Sequence, residues 1–136
     1  MFSVPRVLIC VCDAGQKASL QQSLAPYAEL SWACDLGEMA RRLEQERFDA
    51  VFCARVLCSD TWIEIMRLVQ QSCPELPIII LSQTADEQEW LEVLAAGAFD
   101  LLGLPCHERT ILSVMEHAVA TGEARAWHAA CSLPAA

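Results

Sequence analysis

Apolar runs of strand length alternate with segments of helical period along nearly the whole chain. Residues 7–12 (VLICVC) are continuously apolar, as a parallel strand buried on both faces must be. A helix is predicted over 15–25, with Leu20 and Leu24 one turn apart. Residues 30–34 (LSWAC) read as a second, less buried strand, after which Asp35 caps a helix striped by Leu36, Met39, Ala40 and Leu43. Residues 49–53 (DAVFC) form the third strand. Ser59 or Asp60 then caps a helix whose inward stripe is Trp62, Ile65, Met66 and Val69, and Pro74 and Pro77 close the turn after it. Residues 78–82 (IIILS) are the most β-branched strand. A helix over 86–96 turns Trp90, Val93 and Leu94 inward and ends at Gly97. Residues 99–103 give a fifth strand, and 108–120 a last helix striped by Ile111, Met115, Ala118 and Val119.

Five strands alternating with five helices call for right-handed crossovers and a parallel sheet covered on both faces. The expected fold is therefore a doubly wound α/β domain. Its functional edge lies at the carboxyl ends of the strands. The domain is expected over 1–122. Residues 123–136, richer in small side chains, would extend the last helix or form a tail, or begin a linker to an output domain.

Composition narrows the function classes. The chain has 136 residues, 54% apolar and 20% charged, which suits a globular interior and not disorder. With 9 Lys and Arg against 18 Asp and Glu the formal charge is −9, which disfavours direct contact with nucleic acid or an anionic membrane. No apolar run approaches the roughly 18 residues of a membrane span, and the N-terminal run is too short for a signal peptide, so a cytoplasmic protein is expected. In a reducing compartment the eight cysteines are expected to act mainly as small buried hydrophobes without disulfides.

The carboxyl-edge loops carry Cys12-Asp13, Ala54-Arg55, Ser82-Gln83 and Leu104-Pro105. One carboxylate, one hydroxyl and no lysine make a poor set for acid–base or nucleophilic catalysis, so no enzyme is expected. Asp13 alone is a weak site for a hard divalent cation. No glycine-rich phosphate cradle is present, and no metal or cofactor is expected.

The order and spacing of FDAVFCA at 48–54, PIIILSQ at 77–83 and AGAFDLLGLP at 96–105 resemble the receiver domain of bacterial response regulators, the CheY-like family, over about residues 6–120. The resemblance implies a five-stranded sheet of order 2-1-3-4-5. It also implies a phosphoryl-accepting Asp at the end of the third strand, an acidic pair after the first and a hydroxyl ending the fourth. A lysine before a proline would follow the fifth strand, and a bridging Mg2+ would complete the site. Carried onto this chain, the acceptor position is Ala54, with Val56 just beyond it, and the lysine position is Leu104. The acidic pair falls at Cys12 and Asp13, or at Val11 and Cys12; Ser82 fits the hydroxyl position, and Leu101 replaces the usual switch aromatic. A methyl group forms no acyl phosphate, so the chain resembles a pseudo-receiver working by protein–protein contact. The resemblance also implies a cis bond before Pro105.

Further expectations concern individual residues. Arg55 is expected either to pair with Asp13, in the space a metal would fill, or to stand as a solvated loop residue. Asp49 lies at the opposite sheet edge, and Asp60 is a candidate displaced phosphoacceptor. Cys12, Cys58, Cys106 and His107 raise the alternative of a thiol or metal sensor. Trp32, Trp62 and Trp90 are expected at the core or its margin, and His117 at the surface. Asp86, Glu87, Glu89 and Glu92 are expected to form a solvated face suited to a helix N-terminus. By the resemblance, the fourth helix, fifth strand and fifth helix would carry contacts to a signalling partner, a fused output domain or a second copy, through Trp90, Leu91 and Leu101.

Overall fold

In the computed structural model, which describes residues 4–57 and 61–131, a single sheet of parallel strands has the order β2-β1-β3-β4-β5. The strands are β1 (Arg6–Cys10), β2 (Glu29–Ala33), β3 (Ala50–Ala54), β4 (Ile78–Ser82) and β5 (Asp100–Gly103). They alternate with α1 (Ala14–Leu24), α2 (Leu36–Gln45), α3 (Trp62–Ser72), α4 (Glu87–Ala95) and α5 (Glu108–Cys131). This is the doubly wound architecture expected from the alternation.

Because side chains alternate across a strand, each central strand feeds two cores. Val7, Ile9, Phe52, Ile79, Leu81 and Leu102 meet Leu20 and Leu24 of α1 and Ile111, Met115 and Ala118 of α5. On the other face Leu8, Cys10, Val51, Cys53, Ile78 and Ile80 meet Met39 of α2, Val93 of α4 and the α3 stripe Trp62, Ile65, Met66 and Val69. Fully burying one such large side chain contributes about 1.5–3 kcal/mol.

Several local expectations are corrected. β1 ends at Cys10, before the apolar run does, although Val11 remains wholly buried. β3 starts at Ala50; Asp49 lies before it and uses its carboxylate to accept the Arg6 N–H at 2.8 Å. The N-cap of α3 is Thr61, whose hydroxyl accepts from the Glu64 N–H at 3.2 Å; Ser59 and Asp60 lie outside the described residues. Trp90 is 43% exposed, whereas Glu89 and Val93 are the buried residues of α4. Val93 faces inward as the pattern suggested and Leu94 is half-buried, but Glu89 and not Trp90 takes the interior place one turn earlier.

α5 runs unbroken to Cys131. Its Gly122 passes so close to the turn before β4 that an added Cβ would sit 2.9 Å from Pro77 Cδ. Gly97, ending α4, has φ of 105°, a conformation L side chains rarely adopt. No helix among the described residues is long and apolar enough to cross a membrane.

Candidate functional site

The carboxyl ends of β1, β3, β4 and β5 converge as the topology requires. Asp13 follows β1 and is the N-cap of α1, its carboxylate accepting the Gln16 N–H at 2.8 Å. The one acidic group of the first loop is therefore engaged in starting a helix. Cys12 beside it is half-buried, with its Sγ 3.7 Å from the Cys34 carbonyl oxygen. Ala54 ends β3 almost completely buried, and the following Arg55 N–H donates to the Leu81 carbonyl at 2.8 Å. Val56 projects into solvent, 81% exposed.

Ser82 ends β4 and is buried. Leu104, following β5, donates its N–H to the Ser82 carbonyl at 2.8 Å and packs its side chain into the α1/α5 core. The Leu104–Pro105 peptide bond is cis. Leu101 is buried in the opposite core, so of Trp90, Leu91 and Leu101 only the first two offer substantial surface.

A cleft of about 320 Å³ opens at this edge, lined by Asp13, Gln16, Arg55, Val56, Leu81, Ser82, Gln83, Thr84 and Glu89. A neighbouring hollow of about 360 Å³ is bounded by Gly15, Ser19, Leu104 and Pro105 together with Asp13, Gln16 and Gln83.

Glu89 is the residue that sequence reasoning missed here. Its surroundings show why it is buried. Ser82 Oγ donates to Glu89 Oε2 at 2.7 Å, the Thr84 hydroxyl donates to Oε1, and the Asp86 N–H approaches Oε1 at 3.5 Å. Asp86 in return accepts the Glu89 N–H at 2.8 Å, closing a capping box. The Thr84 and Ser82 hydroxyls and the nearby Arg55 charge hold the carboxyl below its usual range against the opposing effect of burial. The pattern Asp-x-x-Glu at 86–89 signals the capping box in the sequence. Nothing in it signals that the carboxylate also reaches β4.

Arg55 points to this acid and not to Asp13, which corrects both expectations for it. Its Nη2 donates to Glu92 Oε2 at 3.1 Å and its Nε lies 3.4 Å from Glu89 Oε2. The Nε atom is buried and makes no aligned hydrogen bond, so its attraction to Glu89 is ionic and undirected. The acidic residues of α4 are thus not uniformly solvated: Glu89 is buried, and Glu92 is about half exposed and paired.

Among the described residues the cysteines do not gather into a metal site. Cys10 and Cys53 are register partners on adjacent strands, and the contact with Cys10, followed by burial, pushes the Cys53 thiol up. Burial also raises Cys73 and Cys106, so these thiols favour the protonated, unreactive form. His107 accepts the Arg109 N–H through Nδ1 at 3.2 Å at the start of α5, and Cys58 lies outside the described residues. Among the described residues no three His, Cys, Asp or Glu side chains are placed to hold a metal ion. Trp62 is in the core, Trp32 is half-buried with Lys17 Nζ 5.7 Å from its ring, and His117 is exposed.

Comparison with known proteins agrees with this architecture. Residues 11–116 match the family described as response regulator receiver domain. A CheY-like receiver domain protein from Methanospirillum hungatei is 22% identical, with a TM-score of 0.79 over 90% of this chain and 99% of that one. The receiver domain of a sensor histidine kinase from Pseudomonas aeruginosa, solved with magnesium in its active-site cleft, is 17% identical, with a TM-score of 0.77 over 87% and 99%. NtrX from Brucella abortus is 16% identical with a TM-score of 0.87, over 98% of this chain but 31% of its own. No curated protein matches in sequence.

Proposed function

The chain belongs to the response regulator receiver domain family, and we propose that it is a receiver module that signals through protein–protein contact without aspartyl phosphorylation. The observation that carries this reading is Ala54, a buried methyl at the end of β3 where the family resemblance puts the phosphoacceptor. Two further features support it. The position of the expected lysine is Leu104, sunk in hydrocarbon. The Ser82 hydroxyl is already committed to Glu89. The magnesium of the Pseudomonas aeruginosa relative has only Asp13 as a carboxylate counterpart after β1 here, and that group caps α1.

Such a module is no enzyme and works in the cytoplasm. It occupies residues 1–122, with 123–136 as an extension toward an output domain or tail. Its partner surface includes the exposed Trp90 and Leu91 of α4, flanked by Glu87 and Glu92. The partner is a separate signalling protein, a fused output domain, or a second copy docking through α4, β5 and α5. Burial pushes the Cys106 thiol up, which weighs against its serving as a reactive sensor thiol, and Asp49, bonded to Arg6, stands away from the cleft.

Incubation with acetyl phosphate and Mg2+, and separately with beryllofluoride and Mg2+, tests the reading. The expected result is no added phosphoryl mass and no Mg2+-dependent change in tryptophan fluorescence. A phosphoryl adduct on any carboxylate overturns it.

A further inference from the structure

Buried carboxylates are costly unless their lone pairs are filled and their charge is balanced. Glu89 meets both conditions with groups from separate parts of the fold. Ser82 comes from the end of β4, Thr84 from the loop after it, Asp86 from the start of α4, and Arg55 from the end of β3. Arg55 holds two acids one turn apart on the same helix, Glu89 and Glu92. Ser82 Oγ in turn accepts the N–H groups of Thr84 at 3.2 Å and Ala85 at 3.1 Å. Those bonds fold the loop through Ala85, whose φ of 47° is uncommon for a residue with a Cβ.

We propose that Glu89 is a built-in anionic latch: by engaging Ser82 and Arg55 together it fixes the β4–α4 loop and α4 in one arrangement without any covalent modification. The consequence reaches the surface, because Trp90 and Leu91 follow Glu89 directly and are exposed. Their presentation to a partner is then set by an internal ion pair. The latch deepens the proposed function, on which it rests only in taking position 54 to be unmodified.

Amide hydrogen exchange on the whole chain tests it, with no phosphodonor present. Glu89→Gln keeps the shape and a capping oxygen but removes the charge. In that variant the Thr84 and Ala85 amides are expected to exchange about tenfold faster or more, while the Phe52 and Ile79 amides of the central strands keep their protection. Arg55→Met, at a residue about one-third exposed, is expected to loosen the same loop amides and serves alone if Glu89→Gln does not fold. The double variant is expected to exchange less than the two single effects combined would give, because both variants remove the same Glu89–Arg55 attraction and only the exposed Arg55–Glu92 pair is lost in addition. Unchanged loop exchange in a folded variant, or strictly additive effects, overturns the latch. A phosphoryl adduct on the unaltered chain would overturn the proposed function yet leave these rates untouched, so the two failures are distinguishable.

Discussion

The methyl group of Ala85 fills the space into which a side chain at position 103 would project: a Cβ on Gly103 would lie 2.9 Å from the Ala85 Cβ. The β4–α4 loop and the end of β5 therefore touch through a position that needs glycine because of a neighbour. Neither carbon can swing aside, since each is fixed by its backbone. Gly103→Ala is expected to destabilise the fold by about 1–3 kcal/mol. Ala85→Gly removes both the opposing methyl and the cost of the positive φ, so the double variant is expected to recover most of that loss. Urea unfolding of the four proteins in this cycle checks it.

Gly97 is expected to behave differently. An added Cβ there would collide with Gln70 Nε2, and the backbone also has φ of 105°. Gln70 donates to the Ala96 carbonyl at 3.0 Å, tying α3 to the end of α4. Gly97→Ala should cost about 1–2 kcal/mol or more from the backbone conformation alone. Truncating Gln70 to alanine in the same protein should not restore stability, because the strain lies in the main chain. Thermal melts of the single and double variants separate the two sources.

The Glu89 carboxyl gives the fold an acid dependence with a definite sign. Its affinity for a proton is lowered in the folded state from the ordinary 4.5, chiefly by the Thr84 and Ser82 hydroxyls. The group thus adds stability at pH values above 4.5, and that contribution is lost as pH falls through the lower folded value. Unfolding measured from pH 7 down to pH 3 should show the gap between the unaltered chain and Glu89→Gln narrowing below about 4.5. A gap that stayed constant, or widened, would count against the charge as the stabilising element.

The α4 surface separates folding from recognition. Trp90 and Leu91 are 43% and 56% exposed, so replacing both by alanine is expected to change stability by less than about 1 kcal/mol. Loss of association with a partner or a second copy, read by sedimentation velocity or by binding to a captured partner, is the expected effect. Leu101→Ala should do the reverse of the surface pair in stability: buried in the core, it is expected to cost about 2–5 kcal/mol.

Much of this was legible in the chain itself, for a physical reason that differs by element. Residues 78–82 were readable as a strand to the residue because both faces of β4 are buried, which demands an unbroken apolar run. The α3 stripe was equally clear, since Trp62, Ile65, Met66 and Val69 all face one core. Strand ends were less legible. Val11 is buried without belonging to β1, so hydrophobicity alone could not mark where pairing stops. In α4 the inward place of Val93 was legible, but Trp90 was misplaced: an aromatic ring at that spacing suggested the core, yet its carboxylate neighbour Glu89 takes the interior place.

What the sequence determined by itself was the alternation that makes the sheet, and the identity of the side chains at 54, 82 and 104. Those follow from residue type and order along the chain. Which group Arg55 would choose was decided only in three dimensions. Asp13 was available on the same sheet edge, but it is held as the cap of α1, whereas Glu89 and Glu92 sit one turn apart on a helix packed within reach. A buried acid is tolerated only where its partners converge, and two of those partners, Ser82 ending β4 and Arg55 just after β3, are brought side by side by the pairing of those neighbouring strands.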